Sequence, residues 1–313
     1  MTTLLRRSEV EPLLDLRRGM EILKEAFVVQ SGGTVDQIPP FRLMNRGMRL
    51  AVGGLRARDR RGIRLSVTGG EAVALLFGIS SGKLLSIMGY PFSQLRIGAT
   101  VGVALERLAP TRADSVAMIG SGRNAVWLLK AAQAVCPIKN IFVYSRSSKG
   151  RESFARRASE QLSLSIVAVT TPQEAIERSE IIMVSTNSPV PAVLGDWLRP
   201  GLCVVGAGRP NELDEEVYLK ANLVSVVSKA HEIGYYDTKL DQPLLRLPRE
   251  GRMSWDGVAE LGDILCGKVA VPESARSIIV FRDSQGGYGD LALASWAYEE
   301  ATKRGMGSEV STE

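Results

Sequence analysis

The stretch Val116-Ala-Met-Ile-Gly-Ser-Gly-Arg-Asn-Ala125 joins an apolar strand pattern to an amphipathic helix pattern through a glycine turn. In this G-x-G-x-x-A form, Gly120 permits the tight turn, Gly122 lets the backbone approach a pyrophosphate, and the small Ala125 lets helix and strand pack closely. The free amides and the dipole of the helix start favour phosphate groups. The turn residues that we expect to contact a dinucleotide are Gly120, Gly122, Arg123, Asn124 and Ala125.

Around this turn, apolar strand patterns alternate with helical patterns. Strands are predicted at Ser115–Ile119, Asn140–Tyr144, Ser165–Val169, Ile181–Ser185, Leu202–Val205, Leu223–Val227 and Ser277–Phe281. Helices are predicted at Arg123–Val135, Arg151–Gln161, Pro172–Arg178 and Asp256–Cys266. Near-continuous apolar strands joined by helices indicate a parallel sheet that is covered on both faces.

The flanking sequence has a different pattern. It predicts strands at Met48–Val52, Ile63–Val67, Ala72–Phe77 and Leu84–Met88, and helices at Glu11–Gln30, Ser93–Leu108 and Leu291–Lys303. A chain of 313 residues exceeds what one core usually serves. We therefore predict two domains in an α/β fold: a Rossmann-type doubly wound parallel sheet, and a preceding α+β unit onto which the last helix packs back. The tail Gly305–Glu313 is expected to be disordered.

The end of the second predicted strand, Phe142-Val-Tyr-Ser145-Arg146, indicates which dinucleotide is bound. An NAD-selective site normally places Asp or Glu there, where the carboxylate binds the ribose hydroxyls and repels a 2′-phosphate. Here Ser145 stands at that place and Arg146 follows, and a hydroxyl and a guanidinium would bind a phosphate. We therefore predict NADP(H) as the favoured cofactor. NAD(H) is the alternative, for the case in which Arg146 is an ordinary exposed arginine without a role in cofactor binding.

Two later strand ends are also expected to line the cofactor cleft. In open parallel sheets, ligands bind beyond the carboxyl ends of the strands. The segments Val184-Ser-Thr-Asn187 and Val205-Gly-Ala-Gly208 follow such strands. Their predicted cofactor contacts are Ser185, Thr186, Asn187 and Gly206.

Composition narrows the classes of function. Three widely separated cysteines and a single histidine fit neither a disulfide framework nor a metal site, so we predict no metal and a cytoplasmic location. No uncharged apolar run approaches the roughly 18 residues that a membrane span needs. Eight arginines and one acid, Asp59, lie between residues 42 and 64. Because this run has almost no aromatic residues, it argues against nucleic acid and leaves a solvated face or an anion-binding pocket.

Six stretches together resemble the ornithine cyclodeaminase/μ-crystallin family in their order and spacing, over nearly the whole chain. They are Gln94–Thr100, Met118–Ala125, Val184–Asn187 with Pro189–Pro191, Val205–Asp214, Glu260–Gly267 and Asp290–Ala294. The resemblance implies a homodimer in which residues 1–111 plus 288–313 form a smaller α+β substrate-binding and dimerisation domain. The Rossmann-type domain, residues 112–287, is expected to be inserted in it. Members of the family move a hydride between C4 of a nicotinamide and the α-carbon of an amino or imino acid.

The resemblance also implies which cations hold the carboxylate of the substrate. Arg42 and Arg96 match two arginines of the family, and Arg64 stands where the family has a lysine. Arginine binds carboxylates bidentately, so the residue types agree with this interpretation. An ion pair at a surface or an interface is the alternative for each of the three.

One departure from the family bears on the reaction. Cyclodeaminases carry an aspartate where Gly208 stands, so the base that would help to release ammonia is missing. We therefore predict an NAD(P)H-dependent reductase of a cyclic ketimine or α-imino acid, with no catalytic residue assigned. The alternatives are ornithine cyclodeaminase, which forms proline and ammonia, and a non-catalytic dinucleotide- or ligand-binding protein. The sequence leaves two roles for His231: a structural residue, or a group beside the nicotinamide.

Overall fold

The computed structural model describes residues 1–33, 35–37, 41–42, 47–67, 70–234, 241–283 and 287–311. The chain divides into two compact units. The first unit comprises Met1–Arg96, Ala230–Tyr235 and Gln285–Glu313, and the second comprises Ile97–Lys229 and Tyr236–Ser284. The second unit therefore interrupts the first in sequence.

Both units combine strands with helices. The strands are β1 (Thr2–Leu5), β2 (Val35–Gln37), β3 (Phe41–Arg42), β4 (Met48–Leu55), β5 (Arg60–Val67), β6 (Ala72–Gly78), β7 (Leu84–Gly89), β8 (Ser115–Ile119), β9 (Asn140–Tyr144), β10 (Ser165–Ala168), β11 (Ile181–Val184), β12 (Leu202–Gly206), β13 (Leu223–Val226), β14 (Val258–Glu260), β15 (Ile278–Arg282) and β16 (Ser308–Val310). The helices are α1 (Arg7–Val10), α2 (Leu16–Ser31), α3 (Ser93–Leu108), α4 (Ala125–Val135), α5 (Ser148–Leu162), α6 (Pro172–Glu177), α7 (Glu215–Leu219), α8 (Lys229–Gly234), α9 (Pro243–Arg249), α10 (Leu261–Leu265) and α11 (Gly287–Lys303). Among the described residues, none of these helices has the length and the apolar run that a membrane span requires.

The first unit is built on a mixed sheet with the order β16-β1-β7-β6-β5-β4-β2, in which β3 also pairs with β4. Only the β1–β7 pairing of this described sheet is parallel. Helix α11 packs on β4, β5 and β6. A Cβ added at Gly53 would lie 3.0 Å from Cα of Tyr288, and one added at Gly287 would lie 2.7 Å from the carbonyl oxygen of Val52. The two glycines therefore let the first turn of α11 lie directly on the backbone of β4.

The opposite face of the same sheet is apolar and partly exposed. Side chains alternate between the faces of a strand, so the neighbours of the residues that meet α11 point away from it. Register partners on this face are Val52 with Ile63, Leu50 with Leu65, Met48 with Val67, Leu65 with Val73, Ile63 with Leu75, and Leu75 with Ile87. Met48 is 39% exposed and Val67 is 45% exposed. The exposed apolar side chains on this face are therefore neighbours in the sheet and are not scattered singly.

The second unit contains a parallel sheet whose eight described strands have the order β10-β9-β8-β11-β12-β15-β13-β14. Every residue of β8, β11, β12 and β15 is buried, which confirms the predicted sheet covered on both faces. Strands β9 and β10 lie on one side of β8, and β11 and β12 lie on the other. The strand order therefore reverses between β8 and β11, which is where ligands bind in such sheets.

Two local predictions are wrong. The predicted helix Asp256–Cys266 is a 3₁₀ turn, the strand β14 and the short helix α10, because residues from 258 onward pair with β13 in the register Val224–Val258. The tail predicted to be disordered contains β16, which pairs with β1 in the register Thr2–Val310. In both places hydrogen bonding along a sheet edge determines the conformation. Residues 312–313 lie outside the described part of the chain.

Candidate cofactor and substrate sites

The glycine turn follows β8 at the point where the strand order reverses. Gly120 has a φ of 116°, and its N–H donates to the carbonyl of Tyr144 over 2.8 Å. A Cβ at this position would overlap the carbonyl oxygen of Ser185, which follows β11. Glycine is therefore required here both by the backbone conformation and by the close approach of the neighbouring strand end.

The start of α4 leaves room for an anion. A Cβ built at Gly122 would meet nothing within 4 Å, and Ala125 begins the helix as a fully buried residue. Asn124 does not cap the helix with its side chain, which donates instead from Nδ2 to Oγ of Ser185 over 3.2 Å. An uncapped helix start beside open space is the arrangement that binds phosphate groups, so these residues fit a dinucleotide.

Ser145 lies beside the glycine turn, at the end of β9. Oγ of Ser121 donates to Oγ of Ser145 over 3.0 Å, and Nη1 of Arg151 donates to the carbonyl of Ser145 over 3.0 Å. The side chains of Arg123 and Arg146 are exposed. The structure therefore brings Ser145 to the turn, while both arginines face solvent at the same edge of the sheet.

The segments after β11 and β12 are joined by a carboxylate that the sequence did not single out. Glu212 is fully buried; its Oε2 accepts from the N–H of Thr186 over 3.0 Å, and its Oε1 accepts from the N–H of Gly208 over 2.6 Å. A Cβ built at Gly206 would lie 3.6 Å from Oε1 of Glu212 and 3.7 Å from Nη1 of Arg282. We call Glu212, Thr186, Gly208 and Arg282 the Glu212 cluster. Asn187, which follows Thr186 in the chain, is exposed.

Burial dominates the electrostatics of this cluster. It raises the pKa of Glu212 to about 7, while the charge of Arg282 and the amides of Gly208 and Thr186 act in the opposite direction. A Cβ built at Gly208 would overlap Oε2 of Glu212 and lie 2.8 Å from the nitrogen of Thr186. Without a backbone shift, therefore, no side chain fits at position 208, where the resemblance implies an aspartate in the cyclodeaminases.

The first unit holds a second buried carboxylate, Asp290, in the first turns of α11. Oδ2 of Asp290 lies 3.0 Å from Nε of Arg64, and its Oδ1 lies 3.2 Å from Nε of Arg96. Arg64 is 6% exposed, Arg96 5% and Asp290 2%. Two of the three predicted carboxylate-binding arginines are thus brought together inside the unit, on a carboxylate of the chain itself.

Tyr90 completes this group, which we call the Asp290 cluster: Arg64, Tyr90, Arg96 and Asp290. The phenol O–H of Tyr90 donates to Oδ1 of Asp290 over 2.8 Å, and Nη1 of Arg64 donates to Oγ of Ser93 over 3.2 Å. Burial, and next the charge of Asp290, raise the pKa of Tyr90 well above its usual value. Tyr90 therefore remains a proton donor toward Asp290 over the whole physiological range of pH.

The other arginines of the run between residues 42 and 64 have varied surroundings. Arg42 lies in β3 opposite Arg49, and its side chain, like the whole of Arg46, lies outside what the structure describes. Arg58 is exposed and pairs with Glu25 at 2.7 Å.

The single histidine of the sequence lies inside the first unit. His231 is fully buried there, with its ring 6.1 Å from the ring of Tyr288.

Asp290 and Glu212 are the main residues that sequence reasoning missed. A signal existed for Asp290, since it is the one charged residue in the stretch Gly286–Tyr298 of the sequence, where an unpaired charge would be costly. Glu212 lies in a polar segment, Arg209-Pro-Asn-Glu-Leu-Asp214, in which nothing distinguishes it from a solvated acid.

Comparison with known proteins places this geometry in a family. The family model of the ornithine cyclodeaminase/mu-crystallin family matches residues 1–305. Delta(1)-pyrroline-2-carboxylate reductase of Bacillus cereus is 30% identical over 245 residues, which are 77% of this chain and 74% of that protein. Ketimine reductase mu-crystallin of Mus musculus is 27% identical over 235 residues, 73% of this chain and 69% of that protein.

A solved structure extends the similarity to the full length. The structure of Thermococcus litoralis Delta(1)-pyrroline-2-carboxylate reductase, in complex with NADH and L-proline, superposes with a TM-score of 0.90 at 26% identity. The match covers 99% of this chain and 100% of that one. With the glycine turn, the strand order and the full-length match in agreement, the chain belongs to the ornithine cyclodeaminase/mu-crystallin family.

Proposed function

We propose that the chain is an NAD(P)H-dependent oxidoreductase that reduces a cyclic ketimine or an α-imino acid. The observation that carries this proposal is the pair of buried arginines, Arg64 and Arg96, in a chain that also has an open dinucleotide turn at Gly122. Buried guanidinium groups suit the carboxylate of a small substrate. The names of the relatives support the same class, since two are reductases of a pyrroline carboxylate and one is a ketimine reductase.

The cofactor, when bound, supplies the hydride. The chain contributes the binding groups: the amides at the start of α4 and at Gly122 hold the pyrophosphate. Ser145 binds the ribose at the end of β9. Ser185, Thr186, Asn187 and Gly206 line the remainder of the cleft, with Thr186 fixed by Glu212.

The substrate is held by its carboxylate through Arg64, Arg96 and Arg42. A protonated imine accepts a hydride without a separate strong acid, which suits a chain that has no room for a carboxylate at Gly208. The same lack of room argues against ornithine cyclodeaminase, because deamination and ring closure need a base.

The preference for NADPH is the finer part of the proposal. Ser145, rather than an acid, follows β9, and Arg146 is exposed beside it. A guanidinium at this place attracts a 2′-phosphate, whereas a carboxylate would repel it. NAD(H) is the alternative cofactor.

We further propose that the first unit forms a homodimer through its apolar sheet face, the one opposite to α11. Met48, Val67 and Val73 of that face are all more than a third exposed. A contiguous apolar surface of this kind marks an interaction site. Analytical ultracentrifugation tests it: we expect a dimer, and a monomer for a variant with Val67→Glu and Val73→Glu.

The proposed function is tested by a reductase screen. Cyclic imino acids, and 2-oxoacids with ammonia, are offered with NADPH or NADH, and oxidation of the cofactor is followed by absorbance. We expect turnover of a cyclic imino acid. Proline and ammonia formed from ornithine would identify a cyclodeaminase instead, and tight binding of cofactor without any turnover would identify a binding protein.

A further inference from the structure

The guanidinium groups of Arg64 and Arg96 meet one carboxylate oxygen each on Asp290. The contacts are made through Nε, at 3.0 Å and 3.2 Å. A guanidinium carries five N–H donors in a fixed planar fork, of which Nε supplies one. At Arg64, Nε makes an ion pair without a hydrogen bond, and Nη1 donates to Oγ of Ser93 over 3.2 Å. The ion pair and this hydrogen bond together fix the plane of the Arg64 fork and the direction in which its other donors point.

The partners of Asp290 come from separate segments of the first unit. Arg64 lies in the middle of β5, Tyr90 follows β7, and Arg96 lies in the first turn of α3. All three side chains converge on Asp290, which is 2% exposed. The carboxylate has little freedom to turn, because Oδ1 accepts from the phenol beside Arg96 and Oδ2 forms an ion pair with Arg64.

The charges lead to the same conclusion. Two guanidinium groups buried to 5–6% exposure repel each other, and an acid between them offsets this repulsion. Arg64, Arg96 and Asp290 together still carry one net positive charge, which attracts a carboxylate. Ion pairs elsewhere on α11 are different: Glu299 pairs with Arg58 at 3.5 Å and is 32% exposed.

We propose that Asp290 is a positioning residue that orients the guanidinium groups of Arg64 and Arg96 to receive one carboxylate of the substrate. This inference rests on the proposed function, since it names how the same site holds the carboxylate of the substrate. Asp290 acts through the arginines and does not itself contact the substrate. Tyr90 supports it by holding Oδ1 with a proton that it does not lose at physiological pH.

The test uses Asp290→Asn in the full chain, with Glu299→Gln on the same helix as the matched control. The readouts are steady-state kinetics with Delta(1)-pyrroline-2-carboxylate and NADPH, and calorimetric binding of pyrrole-2-carboxylate, a planar monocarboxylate that is not reduced. For Asp290→Asn we expect KM, and Kd for pyrrole-2-carboxylate, to rise about 30-fold, which is about 2 kcal/mol at 1.4 kcal/mol per tenfold. We expect kcat to change much less, the Kd of NADPH to stay unchanged, and Glu299→Gln to match the wild type in every readout.

Three other results would separate a structural role of Asp290 from the positioning role and from failure of the proposed function. If Asp290→Asn lowers the thermal stability but leaves KM and the Kd for pyrrole-2-carboxylate unchanged, Asp290 is structural only and the inference is overturned. If Asp290→Asn does not fold, Tyr90→Phe decides: a rise in KM at unchanged Kd for NADPH supports the inference, and an unchanged KM overturns it. If the wild type reduces no imino acid, the proposed function fails, while the ratio of the two Kd values for pyrrole-2-carboxylate still tests the role of Asp290.

Discussion

The two units each bury a carboxylate completely, but they satisfy it in different ways. Asp290 of the first unit is held by side chains, two guanidinium groups and a phenol. Glu212 of the second unit is held by two backbone amides, with Arg282 close by. Side-chain partners can be exchanged one at a time by mutation, whereas backbone amides cannot. Under the proposed function, the first unit carries the adjustable recognition of substrate and the second carries a fixed frame for the cofactor.

Arg96→Leu should give the largest effect, since it removes a side-chain partner that no backbone group replaces. Removing one cation from a buried charge pair with the substrate carboxylate costs about 3–5 kcal/mol of binding, so we expect kcat/KM for the imino acid to fall by about 100-fold or more. The Kd of NADPH should stay the same. Steady-state kinetics and calorimetry measure both. Arg58→Gln, which removes an exposed arginine paired with Glu25, is the control. An equal loss of kcat/KM in both variants would contradict a specific role of the buried arginine.

Gly208→Ala tests the backbone frame of the second unit. The added methyl group would overlap Oε2 of Glu212, so the carboxylate must release its two amides or the segment must shift. We expect the free energy of unfolding to fall by about 2–4 kcal/mol, measured by urea denaturation. Gly257→Ala is the matched control in the same unit, because a Cβ there would meet nothing within 4 Å. Equal stability of the two variants would contradict the tight packing around Glu212.

The pH dependence of stability distinguishes the two carboxylates further. Burial raises the pKa of Glu212 from 4.5 to about 7, so the folded state binds this proton more tightly than the unfolded state does. Its contribution to stability is present below pH 4.5 and is lost as the pH rises through 7. Between pH 5 and pH 8, we expect the free energy of unfolding of the wild type to fall by about 2–3 kcal/mol relative to Glu212→Gln. Both free energies are measured by urea denaturation. If they changed in parallel between pH 5 and pH 8, Glu212 would already be ionised in the folded state at pH 5.

Arg146→Ala should give the smallest of the four effects, because this cation is exposed while Arg64 and Arg96 are buried. We expect NADPH to bind more weakly by about 1–3 kcal/mol and NADH to bind as before, since only NADPH has the 2′-phosphate. Titration calorimetry with each cofactor measures the difference. Arg157→Ala, which removes an exposed arginine of the following helix α5, is the control. Equal affinity of the wild type for both cofactors would remove the basis of the prediction.

The sequence predicted most of the parallel sheet because its central strands are continuous apolar runs. Ser115–Ile119 and Asn140–Tyr144 have the same bounds in the prediction and in the structure. The strands β14 and β16 were missed because each has only three residues, too few for a pattern of its own. Their extended conformation is determined by pairing with the edge of a neighbouring strand. Local pattern therefore predicted the strands that bury side chains on both faces.

The candidate site could be predicted only in part for a related reason. Arg64 was singled out because it stands where the family has a lysine, and the structure shows it buried against Asp290. The identity of that partner could not be predicted, since Asp290 lies more than two hundred positions away in the chain. Glu212 was missed because its burial depends on the close approach of the segments that carry Thr186 and Gly208, which no local pattern records.

The contact between α11 and β4 has a consequence for evolution of this protein toward new substrates. Gly53 and Gly287 carry no chemistry, yet they set the distance at which the first turn of α11 lies above the sheet. Any side chain at either position would lift that turn and draw Asp290 away from Arg64 and Arg96. In a deep mutational scan selected for activity, both glycines should therefore tolerate as few replacements as the arginines do. Under the proposed function, the spacing of a helix above a sheet would determine selectivity as much as the charges that it aligns.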